Sequence, residues 1–323
     1  MAHPVRLLLV SVLSCAASSV VAADTAPTYP NKPIRMIVPF VAGGPSDVLA
    51  RMIGQKLTEK WGQPVIVENR GSAGGIIGFE ICAKSVPDGQ TMILANGSGL
   101  TINPHVYLQL PYDPAKDFRP ITQITSSAYL MVVPISLPAK TLAEYIALAK
   151  SKPGQLNFAS TSTNTLLAAE QLNYMAGIKT VAVNYKGTGQ ALTSVIGGEV
   201  QSFIVNPLIA ATQVKAGKIR ALGVTSLKRS PALPDVPAIA ETVPGYENIV
   251  WHSLLLPAKT PEPIVAKVTR EVIGIVKQPD VRERFASQGL DAVGSTPEQL
   301  SKLIKEETAM YGKLVKQIGL QPQ

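Results

Sequence analysis

Residues 34–57 read IRMIVPF VAGG PSDVLARMIGQKL, and this stretch decides the fold. Residues 34–40 are apolar and rich in β-branched side chains, the pattern of a strand buried on both faces. Val41-Ala42-Gly43-Gly44 breaks the run, and Pro45 pre-sets the backbone of a first helical turn. Leu49, Met52, Ile53 and Leu57 then recur at i, i+3, i+4 and i+8, one face of a helix. A buried strand that runs through a glycine turn into a helix is the first half of a βαβ unit.

The unit recurs along the chain. Residues 64–67 read as a strand, 70–75 as a loop, 76–85 as a helix, Pro87-Asp88-Gly89 as a turn and 91–95 as a third strand. Residues 100–120 read as a connection containing Pro and Tyr, and 121–133 as an extended segment leaving one lobe for another. A second alternating series opens with Thr141 and Glu144 as a capping box ahead of Ile146 and Leu148, ended by Pro153-Gly154. Strands over 156–160, 180–184, 200–206 and 219–225 alternate with helices over 165–176, 189–196 and 207–216. A Pro-rich stretch, 231–244, leads back to a strand over 250–256 and to helices over 263–277 and 281–288. The last helix opens at Thr296 and Pro297, with Leu300, Leu303, Ile304, Met310 and Leu314 on one face. The expected architecture is α/β, with residues 24–125 and 226–323 in a discontinuous first lobe and 126–225 in a second. Each lobe is a mostly parallel sheet flanked by helices, with a cleft between lobes and hinges near 122–128 and 225–227.

Composition excludes several classes. The chain has 323 residues, 30 Lys and Arg against 22 Asp and Glu, and a formal net charge of +8, with the basic residues scattered singly. No basic tract suits nucleic acid. Arg6, the apolar stretch 7–21 and Val21-Ala22-Ala23 have the order of an export signal, so residues 1–23 read as a leader and Asp24 as the mature start. The apolar stretch is shorter than the roughly 20 residues that span a bilayer. Val12-Leu13-Ser14 before Cys15 only weakly resembles a lipoprotein site, and the cut after Ala23 fits better, so anchoring at Cys15 is not expected. Without the leader, Cys82 is the one thiol and reads as a small buried hydrophobe. The expected place is the periplasm.

The chemistry-bearing candidates are loops at helix starts. Gly43 and Gly44 let a ligand approach the backbone, and the amides of the next turn suit a carboxylate or phosphate; the alternative is a tight turn in which Asp47 serves only the helix dipole. Arg70-Gly71-Ser72-Ala73-Gly74-Gly75 repeats the design, without the first glycine of a dinucleotide fingerprint. Ser160-Thr161-Ser162-Thr163-Asn164-Thr165 can cap a helix, line a cleft, or both. His105 and His252 lack metal-ligand spacing and read as surface or packing residues, and no G-x-S-x-G elbow is present. Few aromatics argue against stacking on a sugar.

Several motifs together resemble one exported family. They include Tyr29-Pro-x-Lys-Pro-Ile-Arg-x-Ile-Val-Pro-Phe40, Gly43-Gly44-x-x-Asp47, Val67-Glu-Asn-Arg70, Gly74-Gly75-x-x-Gly78 and Pro87-Asp88-Gly89. Leu110-Pro-Tyr-Asp-Pro114, Tyr185-Lys-Gly187, Lys218-Ile-Arg-Ala-Leu222, Leu233-Pro-Asp-Val-Pro237 and Thr296-Pro-Glu298 continue the set in order. The chain thus resembles the substrate-binding proteins of tripartite tricarboxylate transporters, also called Bug receptors. The resemblance implies a two-lobed, type II periplasmic-binding fold closing on a small organic acid, with main-chain amides and ordered waters near the first glycine loop holding one carboxylate. Carried onto this chain, Phe40, Val41, Ala42, Gly43, Gly44, Ser46 and Asp47, with Ser72, Ala73 and Gly74, would form the first-lobe wall. Ser160, Thr161, Ser162, Thr163, Thr165 and Asn206 would face them. The family's second-lobe loop usually carries two glycines and then a histidine. Here the shorter Ser162-Thr163-Asn164-Thr165-Leu166-Leu167 replaces them, and Ser194 stands where many members place an aspartate.

The leading expectation is a monomeric receptor, without catalysis, metal or cofactor, that binds an aliphatic di- or tricarboxylate or an aromatic acid and hands it to membrane permease subunits. The competing readings are an exported hydrolase using a cleft serine at 72 or 160, and a sensory partner of a membrane kinase.

Overall fold

The computed structural model describes residues 29–230, 233–287 and 289–322. The expected leader and Cys15 lie outside them. Strand β1 (Ile34–Val38), helix α1 (Pro45–Trp61), β2 (Val65–Asn69), α2 (Ile76–Ala83) and β3 (Thr91–Asn96) are the βαβ units that the apolar pattern calls for. Within the stretch expected as a plain connection, two short helices form, α3 (Ser98–Thr101) and α4 (Asn103–Val106). Tyr129 alone separates β4 (Phe118–Ala128) from β5 (Leu130–Pro134). Then follow α5 (Leu142–Ser151), β6 (Asn157–Ser160), α6 (Thr163–Ala176), β7 (Val181–Asn184), α7 (Thr188–Ile196), β8 (Ser202–Val205), α8 (Pro207–Lys215) and β9 (Ile219–Val224). The chain closes with β10 (Ile249–Pro257), α9 (Glu262–Val276), α10 (Pro279–Ala286), β11 (Asp291–Ala292) and α11 (Pro297–Gln317).

Two sheets result, ordered β11-β4-β10-β3-β1-β2 and β7-β6-β8-β5-β9. The pairs β1–β2, β1–β3, β6–β7 and β6–β8 are parallel, as βαβ crossovers require. The sheets are mixed, where mostly parallel ones were expected, because the strands next to the crossings add antiparallel pairs: β10 with β3 and β4, β11 with β4, and β5 with β8 and β9. The first sheet takes strands from both ends of the chain, the second only from its middle.

Alternation along each strand covers both faces. On β1, Ile34, Met36 and Val38 pack with Leu49, Ile53 and Leu57 of α1 and Val268 and Val272 of α9. Ile37 points the other way, toward Phe79, Ile93, Leu255 and Leu300. On β5, Met131 and Val133 enter one core while Leu130 and Val132 enter the other. At the cores' edge, Phe79 stacks on Tyr112 at 5.3 Å between ring centroids and meets Phe118 edge-on at 5.7 Å.

The two crossings are stitched together by Thr225. The Tyr129 amide donates to Thr225 Oγ1 at 2.7 Å, and the Thr225 amide donates to the Tyr129 carbonyl at 3.0 Å. The Asn248 amide donates to the Thr225 carbonyl at 2.8 Å, and the Thr225 hydroxyl donates back to the Asn248 carbonyl.

Helix α11 departs from the expected face. Leu300, Tyr311 and Val315 are buried, while Met310 is 50% exposed. Eleven residues of helix return to within about 20° of the starting direction, so Tyr311, not Met310, stacks in line with Leu300. The same face carries Glu307, which accepts from Trp251 Nε1 at 2.8 Å and from the Thr101 hydroxyl at 3.5 Å. Burial pushes the Glu307 carboxyl up to about 7, and those two hydrogen bonds only partly oppose it.

Two predictions follow from this packing. Phe79→Ala removes a fully buried ring and should cost about 3–5 kcal/mol in urea unfolding. Glu307 binds its proton more tightly folded than unfolded. Its contribution is therefore complete below its ordinary value of 4.5 and is lost as pH rises through about 7. The urea midpoint of the parent protein should thus fall between pH 5 and 8, and Glu307→Gln should remove part of that fall. Identical pH slopes in the two proteins would show that Glu307 is not its source.

Candidate functional site

The lobes meet around a cleft with about 540 Å³ of space free of protein atoms, part of it open to solvent. Phe40, Val41, Gly44 and Ser46 form one wall of it. Gly44 supplies no side chain to cap α1 and Pro45 has no N–H, so the donors of the first turn begin at Ser46, in that wall. Gly43 turns the loop with φ +81°, a conformation costly for any residue with a Cβ.

Behind the wall a polar web holds this loop. Asp47, 4% exposed, accepts the Gly43 amide at 2.9 Å and pairs with Arg51 at 2.9 Å. Arg51 donates to Asn69 Oδ1 at 3.1 Å, and Asn69 Nδ2 donates to the Phe40 carbonyl at 3.1 Å. Burial opposes ionisation of Asp47, but the bonds from Gly43, Arg51 and Asn69 outweigh it and hold the carboxyl below the usual range. Asp47 stands outside the cleft lining, so its role is to position the loop.

The opposite wall starts three more elements. Thr161, Ser162 and Thr165 line the cleft at the start of α6, where they largely satisfy one another. Thr165 Oγ1 accepts the amides of Thr161 at 2.9 Å and Ser162 at 3.1 Å, while Ser162 Oγ accepts the Thr165 amide at 3.4 Å. Helix α7 has no such cap: Gly187 precedes it, and Gly187 and Thr188 line the cleft. Phe203, Val205 and Asn206 complete this wall ahead of α8. The partial positive ends of α1, α6 and α7 therefore converge on the cleft. Among the described residues no Asp or Glu lines it, and Lys186, exposed, is its one charged side chain.

The floor is made near the crossings by Asn96, Tyr129, Val250 and His252. Register sets His252 directly beside Asn96 on neighbouring strands. Tyr129 accepts from Asn164 Nδ2 at 3.1 Å, and burial raises its phenol. His252 is buried, its Nδ1 stands 3.3 Å from Thr125 Oγ1, and desolvation lowers its pKa to about 4.

Of the residues expected from sequence, Phe40, Val41, Gly44 and Ser46 are thus brought together with Thr161, Ser162, Thr165 and Asn206. Ala42, Gly43 and Asp47 lie outside the lining. So do Ser72, Ala73 and Gly74; Ser72 Oγ accepts the Ile77 amide at 3.0 Å, and the Gly74 carbonyl accepts Asn103 Nδ2 at 2.8 Å. Ser160 is buried, its hydroxyl 3.4 Å from the Ser162 carbonyl. Thr163 makes a bond between lobes, donating to Asn103 Oδ1 at 2.8 Å. Sequence reasoning missed Asn96, Tyr129, Lys186 and Thr188 as lining residues. Only Lys186 had a signal, inside Tyr185-Lys-Gly187. His252, expected as a surface or packing residue, stands in the cleft; His105 instead lies 2.8 Å from the Thr308 carbonyl.

Neither Ser72 nor Ser160 hydrogen-bonds to a histidine. Among the described residues no group of three or more His, Cys, Asp or Glu could hold a metal, and no helix is long and apolar enough to cross a membrane.

Two α/β lobes joined by two crossings, with helix starts around an interlobe cleft, define a solute-binding receptor of the type II periplasmic-binding class. Residues 49–320 match the family described as the tripartite tricarboxylate transporter family receptor, and the chain belongs to that family. The protein BugT of Bordetella pertussis is 33% identical over 320 residues, covering 97% of this chain and 98% of BugT. Among solved structures, Rpa4515 of R. palustris with adipate is 32% identical, with a TM-score of 0.89 over 91% of this chain and 100% of that one. MatC of Rhodopseudomonas palustris with bound malate is 30% identical, with a TM-score of 0.85 over 89% of this chain and 100% of that one. Membership in a receptor family also answers the question of catalysis: the chain is a binding protein and not an enzyme.

Two variants test the wall. A Cβ added at Gly187 would stand 2.5 Å from Cγ2 of Val41 in the other lobe. Gly187→Ala should therefore hold the lobes apart and weaken ligand affinity several-fold in calorimetry, with little change in melting temperature. Asp47→Asn removes a charge-assisted web behind the loop and should cost about 1–3 kcal/mol of binding free energy. Parental affinity in a folded Asp47→Asn protein would refute the positioning role.

Proposed function

We propose that this chain is an exported receptor that takes up a small organic carboxylate between its lobes and presents it to the membrane subunits of a tripartite tricarboxylate-type permease. The observation that carries this reading is electrostatic. Three helix N-termini face a cleft whose lining, among the described residues, holds one lysine and no acidic side chain, so an anion entering it meets fixed partial positive charge from several directions. The adipate and malate held by two relatives support a carboxylate as that anion.

Residues 126–225 would act as one moving lobe, and 24–125 with 226–323 as the other, turning about the strands that Thr225 joins. Ligand-contacting groups in this reading are the Ser46 amide, the Gly187–Thr188 turn and the side chains of Thr161, Lys186 and Asn206. Removal of residues 1–23 on export would leave a monomer in the periplasm, facing the permease.

Isothermal calorimetry against mono-, di- and aromatic carboxylates, with matched uncharged amides as controls, tests this. At least one acid should bind with its amide inert, and added salt should weaken that binding only modestly, since most of the charge is buried dipole. Binding of an amide in preference to every acid would overturn the reading.

A further inference from the structure

Resting on the carboxylate reading, the floor of the cleft narrows the solute further. We propose that His252 and Asn96 recognise an uncharged oxygen on the ligand, so that the preferred solute is a monocarboxylate carrying a hydroxyl or carbonyl on an apolar body, and not a di- or tricarboxylate.

His252 lines the cleft, is 2% exposed, and uses one ring nitrogen on Thr125. Its Nε2 has no hydrogen-bond partner among the described residues. Asn96, 7% exposed and directly alongside, has its orientation fixed from one end: Oδ1 accepts from the Ser98 hydroxyl at 2.6 Å and from the Ser98 amide at 3.2 Å. Among the described residues the Asn96 NH₂ donors have no protein acceptor. Two polar side chains with unused hydrogen-bonding capacity therefore stand side by side in the cleft lining, where a ligand can engage them.

The partner they suit is neutral. Around them Phe40, Phe203, Val205 and Val250 are apolar. Desolvation keeps the imidazole uncharged at neutral pH, and the exposed Lys186 is the only charged side chain in the lining among the described residues. The helix starts supply positive potential along the walls, at Ser46 and at Gly187–Thr188, where one carboxylate can be held. A second carboxylate on the floor would be buried without a counter-charge, at a cost of several kcal/mol. A hydroxyl or carbonyl there needs no such charge, and an imidazole with an adjacent amide serves it as donor and acceptor.

The test is calorimetry on the full chain with two series matched in size: hexanoate, 6-hydroxyhexanoate and adipate, and benzoate, 3-hydroxybenzoate and isophthalate. Each titration is run at pH 7.5 in two buffers of different ionisation enthalpy. In at least one series the hydroxy acid should bind about tenfold or more tighter than both of its partners, with no proton uptake. His252→Phe should abolish the advantage of the hydroxy acid over the unsubstituted acid, and His252→Gln, which keeps a hydrogen-bonding head, should retain part of it. A diacid binding tightest overturns the inference while leaving the carboxylate reading intact, and so does a diacid that binds by protonating the imidazole. An advantage that survives His252→Phe in a folded protein overturns the assignment to His252. Failure of all six acids overturns the inference, while the carboxylate reading is decided by the wider panel and its amide controls.

Discussion

Thr225 is the residue on which the arrangement of the two lobes depends. Its amide, carbonyl and hydroxyl join Tyr129 on one crossing to Asn248 on the other, so the two links run side by side as one short ribbon. A chain that crosses once could swivel freely, whereas two crossings bonded to each other leave essentially one axis of rotation. The ribbon also sets where the cleft floor lies. Tyr129 belongs to it, and β10 continues from it into the first sheet, between β3 and β4. Because β10 enters antiparallel to β3, Asn96 at the end of one strand finds His252 near the start of the other.

Around that floor the fixed charge comes mainly from backbone, with Lys186 the one charged side chain among the described residues. The two lobes use their helix starts differently. In the first lobe Asp47 takes the Gly43 amide and the Asp47–Arg51–Asn69 web holds the loop from behind, while the α1 start at Gly44 has no side-chain cap. In the second lobe the hydroxyls of Ser162 and Thr165 close the α6 start upon itself, while α7 begins uncapped at Gly187. Donors for a charged group are therefore asymmetric across the cleft, with α1 and α7 facing it most openly. Fixed dipoles of this kind need no rearrangement when an anion arrives.

Much of the fold was legible in the sequence because βαβ units advertise themselves locally. The strand–glycine–helix run at 34–57, the Thr296-Pro297 helix start and the return of the chain after residue 225 all depend on neighbours in sequence. Errors came where tertiary geometry decides. Residues 100–120 read as a connection containing Pro and Tyr, yet two short helices, α3 and α4, form at its start and pack under α11. Met310 fitted an apolar stripe, but the period of a long helix drifts and carried Tyr311 inward instead. For the cleft, the β1–α1 loop and the hydroxyl cluster were visible as helix starts. Asn96 and His252 were not, since they lie far apart in sequence and meet only through strand pairing. The run Val250-Trp251-His252-Ser253-Leu254 has too few polar residues to betray which face looks into a cavity. Thr163 illustrates the converse: its type suits a ligand, but its position gives it to Asn103.

Strand alternation has one more consequence at β10. His252 faces the cleft, and Trp251, one residue earlier, faces the core beneath α11 with its indole N–H on Glu307. The only other tryptophan, Trp61, closes α1 on the far side of the first sheet. A single indole thus sits one residue from the floor and in contact with an acid that titrates near neutrality. Gain or loss of the proton on Glu307 would change the charge beside that indole, so its ultraviolet emission is where that titration would be read without a label.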